Sequence, residues 1–145
     1  MADLSGSWIY EGPAADRLWQ KSAIGRPVGE GKLELSPAET MFVHYHRHLD
    51  LPTNDWKYTA LNENSMLLQE YSVLEALRVP GNKLILSQNM ELFSQQIHPM
   101  SWAARWTSNT HPRNSKPVSE IRWFHESDKL DAVELHQWII DVSSS

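Results

Sequence analysis

The chain has 145 residues, 41% hydrophobic and 21% charged, the balance of one ordinary globular domain or of two very small lobes, and not of a fibrous or disordered chain. Thirteen Lys and Arg against eighteen Asp and Glu leave a net charge of −5, so the molecule as a whole lacks the basic field of a free-standing nucleic-acid binder. Without cysteine there is no disulfide framework, thiolate nucleophile or Cys-ligated zinc, and the expected compartment is the cytoplasm. The first residues lack the basic-then-apolar order of a secretory signal, and no run approaches the ~20 apolar residues of a membrane span, so no membrane association is expected.

Trp8-Ile9-Tyr10 is an aromatic and β-branched group closed by Gly12-Pro13, which predicts a short strand and then a helix start. From Pro13 the spacing turns helical. Leu18 falls four residues after Ala14 and Trp19 four after Ala15, and the apolar face runs to Ile24 before Gly25 stops it. Residues 25–31 are rich in turn formers and read as a loop. They lack the Gly-Lys-Ser/Thr ending of a phosphate loop, and residues 32–35 alternate like a strand. Ser36-Pro37-Ala38-Glu39 is a strong helix start: Ser36 caps, Pro37 suits the first turn and Glu39 completes a capping box. A helix is predicted over 37–48.

Residues 51–55 interrupt the pattern, and a second helix is predicted over 62–79, ended by Pro80-Gly81-Asn82. A strand at 83–86 follows, then a stretch at 89–99 compatible with helix or loop. Strands at 102–107 and 118–125 flank a polar loop, 108–117. A last helix is capped by Asp128 or Asp131, with Val133, Leu135, Trp138, Ile139 and Val142 on its buried side. The order predicts an α+β protein of two small lobes, each a short mixed or antiparallel sheet packed with helices. The expected division is an amino-terminal α/β lobe at 1–60 and a carboxy-terminal α/β lobe at 61–145.

The densest titratable cluster is His44-Tyr45-His46-Arg47-His48. His44 and His48 have the i, i+4 spacing of a helical metal pair, but no Glu stands between them, Arg47 adds positive charge and His46 points elsewhere. It reads as a solvated helix face, and no metal or cofactor is assigned. The 109–116 stretch gathers His111, Arg113 and Lys116 without an acid. Arg113 has the planar fork that grips two phosphate oxygens and His111 suits proton transfer, against the plainer reading of a polar loop between strands. Arg122, beside Trp123, extends that patch or stacks on an aromatic. The seven tryptophans read first as packing anchors, with base stacking the lesser alternative.

Four stretches resemble the archaeal tRNA-splicing endonuclease family, in particular the amino-terminal repeat of its two-repeat members. Residues 15–27 are similar to that family's helix and Gly-Arg-Pro turn, residues 31–39 to its strand-to-helix segment, and residues 71–84 to its helix ending before a strand. A fourth similarity runs from Glu120-Ile121-Arg122-Trp123 toward Leu135 and Ile139-Ile140-Asp141. The resemblance implies a lobed α+β fold whose carboxy-terminal lobe is nuclease-like, and an assembly that cleaves intron-containing precursor tRNA without a metal.

Family members use a Tyr, a His and a Lys. The positions matching the His and the Lys fall in Pro117-Val118-Ser119 and in Glu134-Leu135-His136-Gln137-Trp138, where neither residue stands in place. No catalytic residue is carried over, and the carboxy-terminal lobe lacks the last strands through which family members associate. The resemblance thus implies a non-catalytic structural unit, with a catalytic endonuclease unit or a second copy as partner, and with Arg113, Lys116 and Arg122 as phosphate contacts once precursor tRNA is bound by the assembly. Two alternatives stand beside it. One is an active metal-independent RNA endonuclease using His111 and Lys116; the other is a small ligand-binding or adaptor module with no RNA role.

Overall fold

In the computed structural model, which describes residues 6–93 and 95–144, the alternation of Lys32-Leu33-Glu34-Leu35 becomes strand β3 (Lys32–Leu35), with Leu33 and Leu35 buried. It is the centre of an antiparallel sheet in the order β1-β3-β2. Strand β1 (Trp8–Glu11) sets Trp8 opposite Leu35 and Tyr10 opposite Leu33. Strand β2 (Arg26–Gly29) lies on the other side, in the stretch expected to be a loop. The turn residues there flank a hairpin instead of replacing it. Gly25 at φ +78 and Gly31 at φ +70 reverse the chain, and Pro27 is tolerated because β2 is an edge strand.

At Gly25 only glycine fits: a Cβ would stand 2.8 Å from Leu33 and Leu35 side-chain carbons and 2.9 Å from the Glu34 carbonyl. Helix α1 (Ala15–Ser22) precedes this hairpin and buries Ala15 and Leu18. Helix α2 (Pro37–Arg47) starts with the capping box its sequence predicts. Ser36 Oγ accepts from the Glu39 N–H at 3.2 Å and Glu39 Oε1 accepts from the Ser36 N–H at 3.0 Å. The second Glu39 oxygen accepts from the Gly25 N–H at 2.8 Å, tying the hairpin to the helix start.

The helix expected over 62–79 is α4 (Leu67–Arg78), starting five residues later, and a further helix, α3 (Trp56–Glu63), precedes it where none was expected. Asn64 separates the two. Its side chain accepts from the Met66 N–H at 3.0 Å and its carbonyl from the Leu67 N–H at 3.2 Å, a local turn that competes with the helical ladder. The larger core gathers Leu18 and Ile24, Leu33 and Leu35, Phe42, Leu67 and Leu74, and reaches Leu84 on β4 (Lys83–Leu86).

The second sheet has the order β4-β5-β6, also antiparallel, with β5 (Ala103–Trp106) at the centre and β6 (Ser119–Ile121) as the far edge. All four residues of β4 are buried. A 3-10 helix at Ser87–Leu92 follows β4, within and just before the stretch left open between helix and loop. A smaller core of Ala23, Ile85, Met90, Ala104 and Trp106 lies under it. β6 is shorter than the strand expected over 118–125, because its partner β5 begins at Ala103, opposite Ile121, and the chain then turns at His125, whose N–H donates to Asp128 Oδ2 at 2.9 Å. Among the described residues the architecture is α+β, with two three-stranded antiparallel sheets and six helices, counting the 3-10 helix.

Helix α5 (Ala132–Ser143) is capped by Asp131, whose side chain accepts from the Val133 and Glu134 N–H groups. The sequence predicts a buried side for it; none of its residues is buried, and Val133 is 80% exposed. Polar contacts hold it instead. Trp138 Nε1 donates to Ser101 Oγ at 2.8 Å, His98 Nε2 meets Asp141 at 3.1 Å, and Arg122 pairs with Glu134. No helix among the described residues is long and apolar enough to cross a membrane.

Candidate functional site

Two side chains of the second sheet hold the 108–117 loop, Lys83 at the Ser108 carbonyl and Trp106 at that of Ser115. Trp106 Nε1 donates to the Ser115 carbonyl at 3.0 Å, which pins the loop to the small core. His111 is buried, only 7% exposed, edge-on to the Trp19 indole at 5.0 Å between centroids. Its Nε2 donates to the Trp19 carbonyl at 2.9 Å, and its Nδ1 accepts from the Arg113 N–H at 3.3 Å. A ring that must donate at Nε2 and accept at Nδ1 is a neutral imidazole in one tautomer. Burial pushes its pKa below the usual histidine value, the Trp19 carbonyl opposes that, and the charges of Arg113 and Lys83 act in the same direction as burial.

A depressed folded-state pKa has a defined sign. The stabilisation it contributes is present above the unfolded value of about 6.5 and is lost as pH falls from there through the folded value, because the unfolded chain takes the proton first. Ring-proton titration by NMR is expected to give His111 a pKa below 6.5, with a parallel loss of stability on acidification. A His111 pKa above 6.5 would contradict the tautomer assignment.

The cations expected to share the patch are dispersed. Arg113 is exposed and its guanidinium hydrogen-bonds Gln20 on α1. Lys116 is exposed and lines a separate groove with Gln95, Pro117, Val118 and Glu120. Arg122 pairs with Glu134 and lies over the Phe124 ring at 4.9 Å and the Trp138 ring at 6.0 Å, rather than over Trp123. The loop therefore brings His111 and Arg113 together and leaves Lys116 and Arg122 apart from them.

The histidine cluster on α2 is likewise engaged. His44 Nδ1 meets the Leu49 carbonyl at 2.7 Å, while His46 Nε2 meets Glu75 at 2.6 Å, a carboxylate that also accepts from Tyr71 Oη at 2.7 Å. His48 sits at the helix end with φ +60. Residues that sequence reasoning passed over lie elsewhere. Arg78, seen only as part of a helical pattern, is buried and donates to the Ser22, Ala23 and Leu84 carbonyls at 2.7–2.9 Å. Its only sequence signal is that of a basic residue in a last helical turn.

The fold and loop geometry thus define a small α+β protein whose polar loop is structurally tied to α1. No known family model matches the chain, and no curated protein matches it.

Proposed function

We propose that the chain is a non-catalytic structural unit of a tRNA-splicing endonuclease, docking on a catalytic unit or on a second copy of itself and meeting intron-containing precursor tRNA only within that assembly. The observation that carries this reading is α5, a twelve-residue helix with no buried residue and with Val133, Ile139 and Ile140 open to solvent. Exposed apolar side chains on an uncovered helix are a liability, and they become part of an interface once covered. The state of His111 agrees with a silent unit, since both ring nitrogens are spent on the backbone. Arg113 and Lys116 remain exposed for phosphate contact, and Arg122 contributes from a separate position after exchange with Glu134.

The test combines mass and cleavage. The chain is incubated with an intron-containing precursor tRNA in EDTA, alone and with a catalytic subunit of an archaeal tRNA-splicing endonuclease, and its mass in solution is measured in both cases. No cleavage alone, with association and cleavage in the mixture, is expected. Cleavage by the chain alone that falls ~10²–10⁴-fold in His111→Ala would identify an active metal-independent nuclease instead. Absence of both association and salt-sensitive RNA affinity would leave an adaptor without an RNA role.

A further inference from the structure

Three helices end at one cavity. Lys21 in the last turn of α1, Arg47 closing α2, Arg78 closing α4 and Lys83 opening β4 surround a space of about 200 Å³, completed on its far side by Ser108. No Asp or Glu lines it, although the chain carries 18 of them. Five ion pairs form among the described residues, and none involves these four cations.

Part of this charge is answered internally. Arg78 caps the α1 carbonyls of Ser22 and Ala23, and Lys83 Nζ donates to the Ser108 carbonyl at 2.6 Å. Each helix C-terminus carries about half a negative charge, so three supply about −1.5. Glu39, the carboxylate whose field reaches Arg78, adds one more, but both its oxygens are committed to the Gly25 and Ser36 N–H groups. Four full positive charges still exceed that sum by more than one.

Burial, and after it neighbouring charge, acts on the two inner cations. Burial lowers Arg78 to about 10, opposed by Glu39 and aided by the Arg47 charge. Lys83 is lowered by burial and then by the Arg78 charge. An anion in the cavity would relieve the charge part of this shift. The Arg47 guanidinium lies 5.3 Å over the Phe42 ring and spends one N–H on the His46 carbonyl at 3.1 Å, which leaves its other donors for a ligand, and Lys21 is exposed.

We propose that this cavity is a binding site for a phosphate group, gripped by Lys21, Arg47 and Lys83 over a positive floor supplied by Arg78. Its volume admits a phosphate with bound water, and a compact dianion answers the surplus charge better than a single carboxylate. The phosphate is inorganic, a monoester or a backbone phosphodiester; the chemistry is shared. The site stands whether or not the chain is an endonuclease unit.

At fixed ionic strength, inorganic phosphate is expected to shift the Gly81, Asn82 and Ser108 amide resonances saturably and to raise the unfolding midpoint, where chloride does neither. The double variant K21Q/R47Q, both on exposed side chains, is expected to weaken phosphate affinity at least about tenfold and to abolish the rise of the midpoint with phosphate, whatever its midpoint in chloride. R17Q/K129Q, the same charge change at exposed positions elsewhere, is expected to leave the affinity intact. Equal responses to phosphate and chloride, or equal losses in the two double variants, overturn the site. Competition by a short RNA without terminal phosphates assigns a phosphodiester. Competition only by a nucleoside monophosphate assigns a monoester, and competition by neither assigns inorganic phosphate.

Discussion

Arg78→Met is expected to lower the unfolding free energy by about 3–5 kcal/mol, measured by urea denaturation at neutral pH, and so to leave the protein largely unfolded if its stability is ordinary. The side chain is buried and its guanidinium donates to three carbonyls, two at the end of α1 and one on β4. Methionine fills similar space but donates nothing, so all three carbonyls lose their partner, and an unsatisfied buried acceptor costs about 1–3 kcal/mol. Arg78→Lys separates charge from geometry. It keeps a cation at the helix end but cannot reach carbonyls of both elements at once, and is expected to retain less than half of the lost stability. A cost of Arg78→Met below about 1 kcal/mol would mean that water takes over the three carbonyls.

Trp106→Ala is expected to cost about 3–5 kcal/mol by the same measurement. Trp106 is 1% exposed, fills the centre of the smaller core and packs near Phe93, with ring centroids 6.3 Å apart. Deleting it removes the largest side chain of a cluster that otherwise consists of two alanines, an isoleucine and a methionine, leaving a void the neighbours cannot close. The indole has a second task, the bond from Nε1 to the Ser115 carbonyl. Trp106→Phe keeps most of the apolar volume and loses that bond, and is expected to cost only about 1–2 kcal/mol. The discriminating readout is amide exchange in the 108–117 loop: it is expected to rise in both variants, even where the phenylalanine protein stays folded.

Local signals in the sequence are legible where four or five adjacent residues carry the whole instruction. Ser36-Pro37-Ala38-Glu39 specifies the start of α2 without help, and its reciprocal hydrogen bonds form as the residue types require. Alternation in residues 32–35 places Leu33 and Leu35 inward for the same reason. β2 is hidden because Arg26-Pro27-Val28-Gly29 has little strand propensity and becomes a strand only through its neighbour β3. The break at Asn64 is hidden because apolar spacing continues across it while one carboxamide captures the backbone.

For the candidate site the limits are similar. Residues 109–116 read as an open polar loop, yet His111 is buried against Trp19, a partner no local pattern could indicate. The apolar spacing of α5 correctly marks its hydrophobic positions but carries no information on whether this chain covers them. Lys21, Arg47 and Arg78 each read as the basic residue expected at a helix end; that the three ends meet is a property of how α1, α2 and α4 pack.

The Trp19–His111 contact joins residues 92 apart, and Arg113 reaches Gln20 across 93. Such contacts are entropically the most expensive to close, and they reward the chain only after everything between them has its place. Trp106 and Lys83 hold the loop at Ser115 and Ser108, but its His111–Arg113 corner takes its final shape with α1, at the other end of the sequence, docked. Any partner that reads this loop by its shape therefore discriminates by folding history: it accepts molecules whose early and late segments have already met and passes over those released half-made.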